Sequence, residues 1–165
     1  IKILKNHGLV ERGKCILWSS NSRLDNIQAA ILNVKINEIH KWNNRRIKIA
    51  EYYSNELSGL VDVPSNKIKN SSIDIKSVYH TYIIKTKYRD ELKEFLFNNG
   101  IDTKIHYPIP IHLQEASKSL NHKIGDFPIT DKLTNEILSL PVYPELRDSQ
   151  IEFVAQTIKN FFKNK

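Results

Sequence analysis

The sequence has 165 residues, with 25 Lys and Arg against 18 Asp and Glu and a formal net charge of +7. Its basic residues are scattered through Asn- and Ile-rich sequence, without an Arg-rich arm, a zinc-finger spacing or an aromatic RNA-binding run, so the excess charge reads as a solvated surface and argues against a nucleic-acid partner. No apolar run approaches the roughly 20 residues of a membrane helix, and Cys15 stands alone, which excludes a disulfide framework within the chain and places it in the reducing cytoplasm.

The chain opens at Ile1, inside an amphipathic pattern, as expected of a piece of a longer or processed polypeptide. Ile1–Leu4 reads as the last turn of a helix, with Gly8 in the position after its cap. A charged connector, Val10 to Lys14, leads to the stretch from Trp18 to Leu32. Here a small polar loop becomes a helix, with Ser22 as N-cap and Asp25 three residues on, the capping-box spacing. Asn21 and Arg23 beside that helix start are poor core material. They suit either a well-capped surface helix or the contact of an anion with a positive helix end.

From Leu24 a helical pattern runs to Leu57 without Pro or Gly, about 34 residues or roughly 50 Å, with a bend expected at Asn43-Asn44. A helix of that length ties two bodies together or crosses a subunit interface. Ser58-Gly59 ends it. Val61 to Pro64 reads as an edge strand, Lys67 to Lys76 as a polar loop, and Asn70-Ser71-Ser72 matches a glycosylation sequon without meaning in a cytoplasmic protein. Val78 to Ile84 is the clearest strand, rich in β-branched and aromatic residues, and carries His80 in a structural role. A helix over Arg89–Phe97, stopped by Asn98-Asn99-Gly100, precedes a second strand at Thr103–Tyr107.

His106 to Gln114 contains Pro108 and Pro110, which impose extended backbone and leave His106, Tyr107 and His112 on a stiff loop. Neither a helical nor a zinc-finger spacing relates the histidines, so no metal site is expected. The loop is either structural or a polar-ligand contact. A helix over Ile129–Leu138 with Thr130 as N-cap, a Pro-bounded extended piece from Ser139 to Pro144, and a helix opened by a Ser149–Glu152 capping box complete the chain. The succession predicts helices layered on a short sheet.

Asn6-His7-Gly8, Asn21 to Asp25 with Gln28 to Leu32, Val78 to Tyr82, Gly100 to Thr103, His106-Tyr107-Pro108 and Leu138 to Pro141, in that order, resemble the C-terminal half of the DegT/DnrJ/EryC1/StrS aminotransferases. The resemblance covers nearly the whole chain, and the run from His106 looks most like members acting at the sugar C3 position. It implies an α/β chain, the C-terminal part of the aspartate-aminotransferase fold, with an α+β small domain whose short sheet is mainly antiparallel. Residues 1–20 would be the end of the large cofactor domain, 21–57 the linking helix, and 58–165 the small domain.

The same resemblance implies pyridoxal 5′-phosphate as cofactor, glutamate as amino donor, a nucleoside-diphosphate keto sugar as acceptor and a homodimer with shared active sites. Surface-polysaccharide or deoxyamino-sugar biosynthesis would be the setting. Asn21 matches the residue that reaches the cofactor phosphate of the neighbouring subunit. Arg23 beside it falls at a substrate- or phosphate-contacting position, and His106 and Tyr107 at substrate-binding positions that line the nucleotide-sugar site. No catalytic residue is implied in this chain, because the Schiff-base lysine and the aspartate for the pyridine nitrogen belong to the preceding domain. Without that lysine the chain alone has no aminotransferase mechanism. The alternative is a truncated or split-gene product acting as a folded interaction module.

Overall fold

The structure is a computed structural model that describes residues 1–64, 77–163 and 165. The polar loop and the sequon lie outside the described residues. Contacts divide the chain into two compact units, Ile1–His40 and Lys41–Lys165.

In the first unit the opening turn is closed by the Lys5 N–H on Ile1 O and the Gly8 N–H on Ile3 O, both 3.0 Å. Gly8 has φ of +72°, and a Cβ there would lie 1.8 Å from Leu17 O, so both backbone and space require glycine. The expected connector is a hairpin instead. Strand β1, Leu9–Glu11, pairs antiparallel with β2, Lys14–Cys15, across a two-residue turn in which Gly13 has φ of +81°.

Helix α1 spans Asn26–Lys35, and its N-cap is Asp25, not Ser22. The Asp25 N–H donates to Gln28 Oε1 at 3.3 Å, so the operative capping box is Asp25–Gln28. Ser22 is engaged elsewhere: its N–H donates to Lys5 O at 2.9 Å, next to a bridge between Asn6 and Asn21. None of the α1 side chains is buried. The helical run breaks at Ile36–Glu38, one turn of 3₁₀ helix, and α2 then continues unbroken from Ile39 to Leu57. Asn43-Asn44 lies inside that unbroken helix. Asn37 Nδ2 donates to Asn33 O at 3.3 Å at the actual break, where such back-bonding competes with the backbone ladder.

The second unit is built on a narrow antiparallel sheet. Strand β3, Tyr82–Lys85, pairs with β4, Ile137–Leu140, in the register Tyr82↔Leu140 and Ile84↔Leu138. Asp62 bridges to Lys85 on one side and Lys104 to Ser139 on the other. The strands expected at Val61–Pro64 and at Thr103–Tyr107 are thus both reduced to isolated bridges, at Asp62 and at Lys104. Only the C-terminal half of the Val78–Ile84 prediction is strand. Tyr79 has φ of +50°, a left-handed conformation that a bulky side chain adopts only under constraint; its ring is buried 6.0 Å from that of Tyr82.

Helix α3, Arg89–Asn98, stands where the sequence places it. Helix α4, Pro128–Glu136, starts with proline at a position that needs no amide donor, not with a Thr130 cap, and ends two residues before Leu138. Ile137 and Leu138 are strand, because pairing with β3 puts Leu138 and Leu140 in the core at period two. Helix α5 spans Asp148–Lys163. The Arg147 N–H donates to Gln150 Oε1 at 3.0 Å, so its capping contact lies two residues before the expected Ser149–Glu152 box.

The core joins Ile49, Tyr53 and Leu57 of α2, Tyr82 and Ile84 of β3, Leu92 and Leu96 of α3, Leu138 of β4, and Ile151, Val154, Ile158 and Phe161 of α5. These helical positions recur at three, four and seven residues, which makes one face of each helix apolar. Burying each large side chain removes it from water at a gain of about 1.5–3 kcal/mol. Arg89 is a buried exception: its Nε donates to Asp90 Oδ1 at 2.6 Å and its Nη1 to Thr134 O at 2.9 Å, satisfying a carbonyl at the end of α4. Arg45 joins α2 to α5 through Leu146 O and Asp148, both at 2.6 Å, and Lys159 pairs with Glu56. No helix among the described residues is long and apolar enough to cross a membrane.

Candidate functional site

Two groups of expected site residues form, one in each unit. In the first, the loop before α1 is tied to the opening turn by the Asn6–Asn21 bridge and by Ser22 on Lys5. This places Asn21 and Arg23 side by side on an exposed surface. Arg23 Nε donates to Asn21 Oδ1 at 2.8 Å. The amide oxygen is thereby occupied, and the Asn21 Nδ2 donors together with a guanidinium charge remain available to an oxyanion. That donor set fits the phosphate end of pyridoxal phosphate.

In the second unit, the short backbone pairing of Lys104 with Ser139 delivers His106 to the rim of the sheet. His106 Nδ1 lies 2.8 Å from Ser139 Oγ, a bond that fixes the ring plane and commits Nε2 to the complementary role. Tyr107 stacks edge-on against it, with ring centroids 5.6 Å apart at 85°, and is 74% exposed. An imidazole of fixed orientation beside an exposed phenol can hydrogen-bond a polar ligand such as a diphosphate. Pro110 is extended as expected, with φ of −57° and ψ of 147°, but the extended backbone stops there: Ile111–Leu113 is a 3₁₀ turn, with the Leu113 N–H donating to Pro110 O at 3.0 Å, and it carries His112.

His80 does not lie on a strand. It is exposed in the turn before β3, after the left-handed Tyr79, and takes no part in the core. The described residues contain no group of three or more His, Cys, Asp or Glu that could hold a metal. Cys15 is exposed, its sulfur 3.0 Å from Leu17 O and 3.2 Å from His7 O.

Sequence reasoning missed Ser139, which orients His106, and the pairing of His112 with Asp131, where Nε2 and Oδ1 approach to 3.2 Å. No local signal marks either one. Both contacts join residues far apart in the chain, 33 positions in the first case.

Comparison with known proteins places these features in a family. The profile of the DegT/DnrJ/EryC1/StrS aminotransferase family matches residues 1–159. The chain is 35% identical over 159 residues to the erythromycin biosynthesis sensory transduction protein EryC1 of Saccharopolyspora erythraea, covering 96% of this chain and 43% of that one. It is 33% identical over 161 residues to the dTDP-3-amino-3,4,6-trideoxy-alpha-D-glucose transaminase of Streptomyces venezuelae, covering 98% and 42%. The crystal structure of S. venezuelae DesV in complex with a ketimine intermediate superposes with a TM-score of 0.88 at 32% identity, over 98% of this chain and 43% of that one. The chain thus spans less than half the length of the curated relatives it matches.

Proposed function

Since this chain belongs to the DegT/DnrJ/EryC1/StrS aminotransferase family, we propose that it is the C-terminal portion of an enzyme that transfers an amino group to a keto sugar carried on a nucleoside diphosphate. Glutamate would be the donor, and deoxyamino-sugar or surface-polysaccharide biosynthesis in the cytoplasm the setting. The observation that carries this reading is the match of nearly this whole chain to part of a sugar transaminase, in sequence and in fold, with the Asn21–Arg23 and His106–Tyr107 pairs both present.

When bound, pyridoxal phosphate would supply the electron sink that lets an amine and a ketone exchange. This chain's residues bind and orient around it. Asn21 Nδ2 and the Arg23 guanidinium would hold a phosphate oxygen, while His106 and Tyr107 would hydrogen-bond the nucleotide sugar. The lysine that bonds the cofactor would come from the large domain. The exposed α1 face, with Ile27 and Val34 each 72% exposed, supports a homodimer in which Asn21 serves the neighbouring subunit's site. An apolar helix face left in water favours association.

An absorbance scan with pyridoxal phosphate, before and after borohydride reduction, tests the proposal on this chain alone and mixed with the N-terminal half of a related aminotransferase. A reducible band only in the mixture is the expected result. No band in either sample, from folded chain, would transfer the weight to a non-enzymatic interaction module.

A further inference from the structure

We infer that His112 is a positioning residue whose contact with Asp131 sets the path of the loop from Tyr107 to Gln114. The inference rests on the reading above only in what it says the loop is for, the presentation of Tyr107 to a nucleotide sugar.

The loop is pinned by side chains at both ends. His106 is held at 2.8 Å by Ser139 of β4. Six residues on, the His112 side chain is 8% exposed, with Nε2 3.2 Å from Asp131 Oδ1 on α4. Its ring packs 4.8 Å from that of Phe127. Asp131 is itself fixed, since its Oδ2 accepts the Gly125 N–H at 2.7 Å. His112 Nε2 and Asp131 Oδ1 are both shut off from solvent, and neither has a hydrogen bond of ordinary geometry to a described residue, so what they have is their mutual approach at 3.2 Å. Two polar atoms buried in this way depend on each other, because either alone would be left without solvent or partner. Between the pins, Tyr107, Ile109 and Ile111 are exposed. Among the described residues, the loop's other hydrogen bonds are short-range, such as Gln114 Nε2 to Ile109 O at 3.1 Å. Those bonds shape it locally, and the His112–Asp131 contact decides where it lies against the rest of the unit.

The test compares two variants of the full chain by NMR. His112→Gln keeps a nitrogen donor near Asp131, whereas His112→Leu keeps apolar volume on Phe127 and removes the donor. Backbone amide exchange at Leu113 and Gln114 and the ring resonances of His106 and Tyr107 report the loop, while amides of β3 and β4 report the fold. His112→Leu is expected to speed exchange at Leu113 and Gln114 by about tenfold or more and to shift the Tyr107 ring signals, with β3 and β4 unchanged. His112→Gln is expected to stay near wild type. The reverse order, equal disturbance by both, or no change in either would overturn the inference and leave His112 as packing. Should His112→Leu lose the β3 and β4 signals, Asp131→Ala provides the same reading, with faster exchange in favour and unchanged exchange against. Titration with UDP and dTDP separates the two ideas: the expected exchange pattern without nucleotide binding would count against the nucleotide-sugar reading and uphold the positioning role.

Discussion

His106 Nδ1 lies 2.8 Å from the hydroxyl of Ser139, and the same serine exchanges both backbone hydrogen bonds with Lys104, at 2.8 and 3.3 Å. One residue of β4 therefore fixes both the chain entering the loop and the first side chain the loop presents. Ser139→Ala should keep the backbone pairing and free the imidazole. Because an ordinary hydrogen bond contributes about 1 kcal/mol, nucleotide-sugar affinity in the complete enzyme should fall roughly fivefold, with a shift in the His106 ring signals. Calorimetry and NMR read the two effects, and unchanged affinity would remove Ser139 from the site.

Asn21 and Arg23 should contribute to cofactor retention rather than to chemistry. In the complete enzyme, Asn21→Ala should weaken pyridoxal phosphate binding about tenfold, in line with losing a hydrogen bond to a charged group. Arg23→Gln should also weaken it and make it less sensitive to salt, since the lost charge removes part of the ionic attraction that salt screens. Absorbance titration at two ionic strengths is the measurement. Full retention by both variants would exclude the phosphate role.

The buried Arg89 guanidinium joins the start of α3 to the end of α4. Arg89→Met preserves length and apolar volume but leaves the Thr134 carbonyl without its donor. A loss of about 2–4 kcal/mol is expected in denaturant unfolding. Arg89→Lys should recover only part of it, because an ammonium cannot reproduce the planar fork. An unchanged midpoint for Arg89→Met would show that the guanidinium contributes no net stability.

Burial pushes the Tyr82 hydroxyl up to about 12, against the opposing effect of its hydrogen bond with Ser54, and burial pushes Tyr53 up as well. The unfolded chain ionises its tyrosines first, near pH 10, so it binds fewer protons than the folded chain above that pH. The contribution of Tyr82 to stability is thus complete below pH 10 and is lost as pH rises through about 12, a change of about 2–3 kcal/mol. Tyr82→Phe should flatten the alkaline limb of the stability profile. Equal slopes for the two proteins would contradict this.

The sequence by itself determined the pieces whose interactions are local. The apolar spacings of α2 and α5 are visible without neighbours, α3 stops at Asn98 where Asn99 and Gly100 follow, and Pro110 holds extended backbone. The family motifs are likewise contiguous runs, so the Asn21–Arg23 pair and the His106–Tyr107 pair could both be named. Competing local signals were less decisive. The Ser22–Asp25 spacing matches a capping box, yet Asp25 itself is the N-cap and Gln28 completes the box.

Only the tertiary structure decided β4. Ile137–Leu140 suits a helix or a strand equally in isolation, and the alternation of Leu138 and Leu140 becomes meaningful once β3 lies alongside. The same holds for Ser139 beneath His106 and for Asp131 against His112. A helix turn closes its hydrogen bonds within four residues, so its code is local. A strand pair or a buried polar contact is closed by a distant segment, and its energy exists only after the chain has brought the two together.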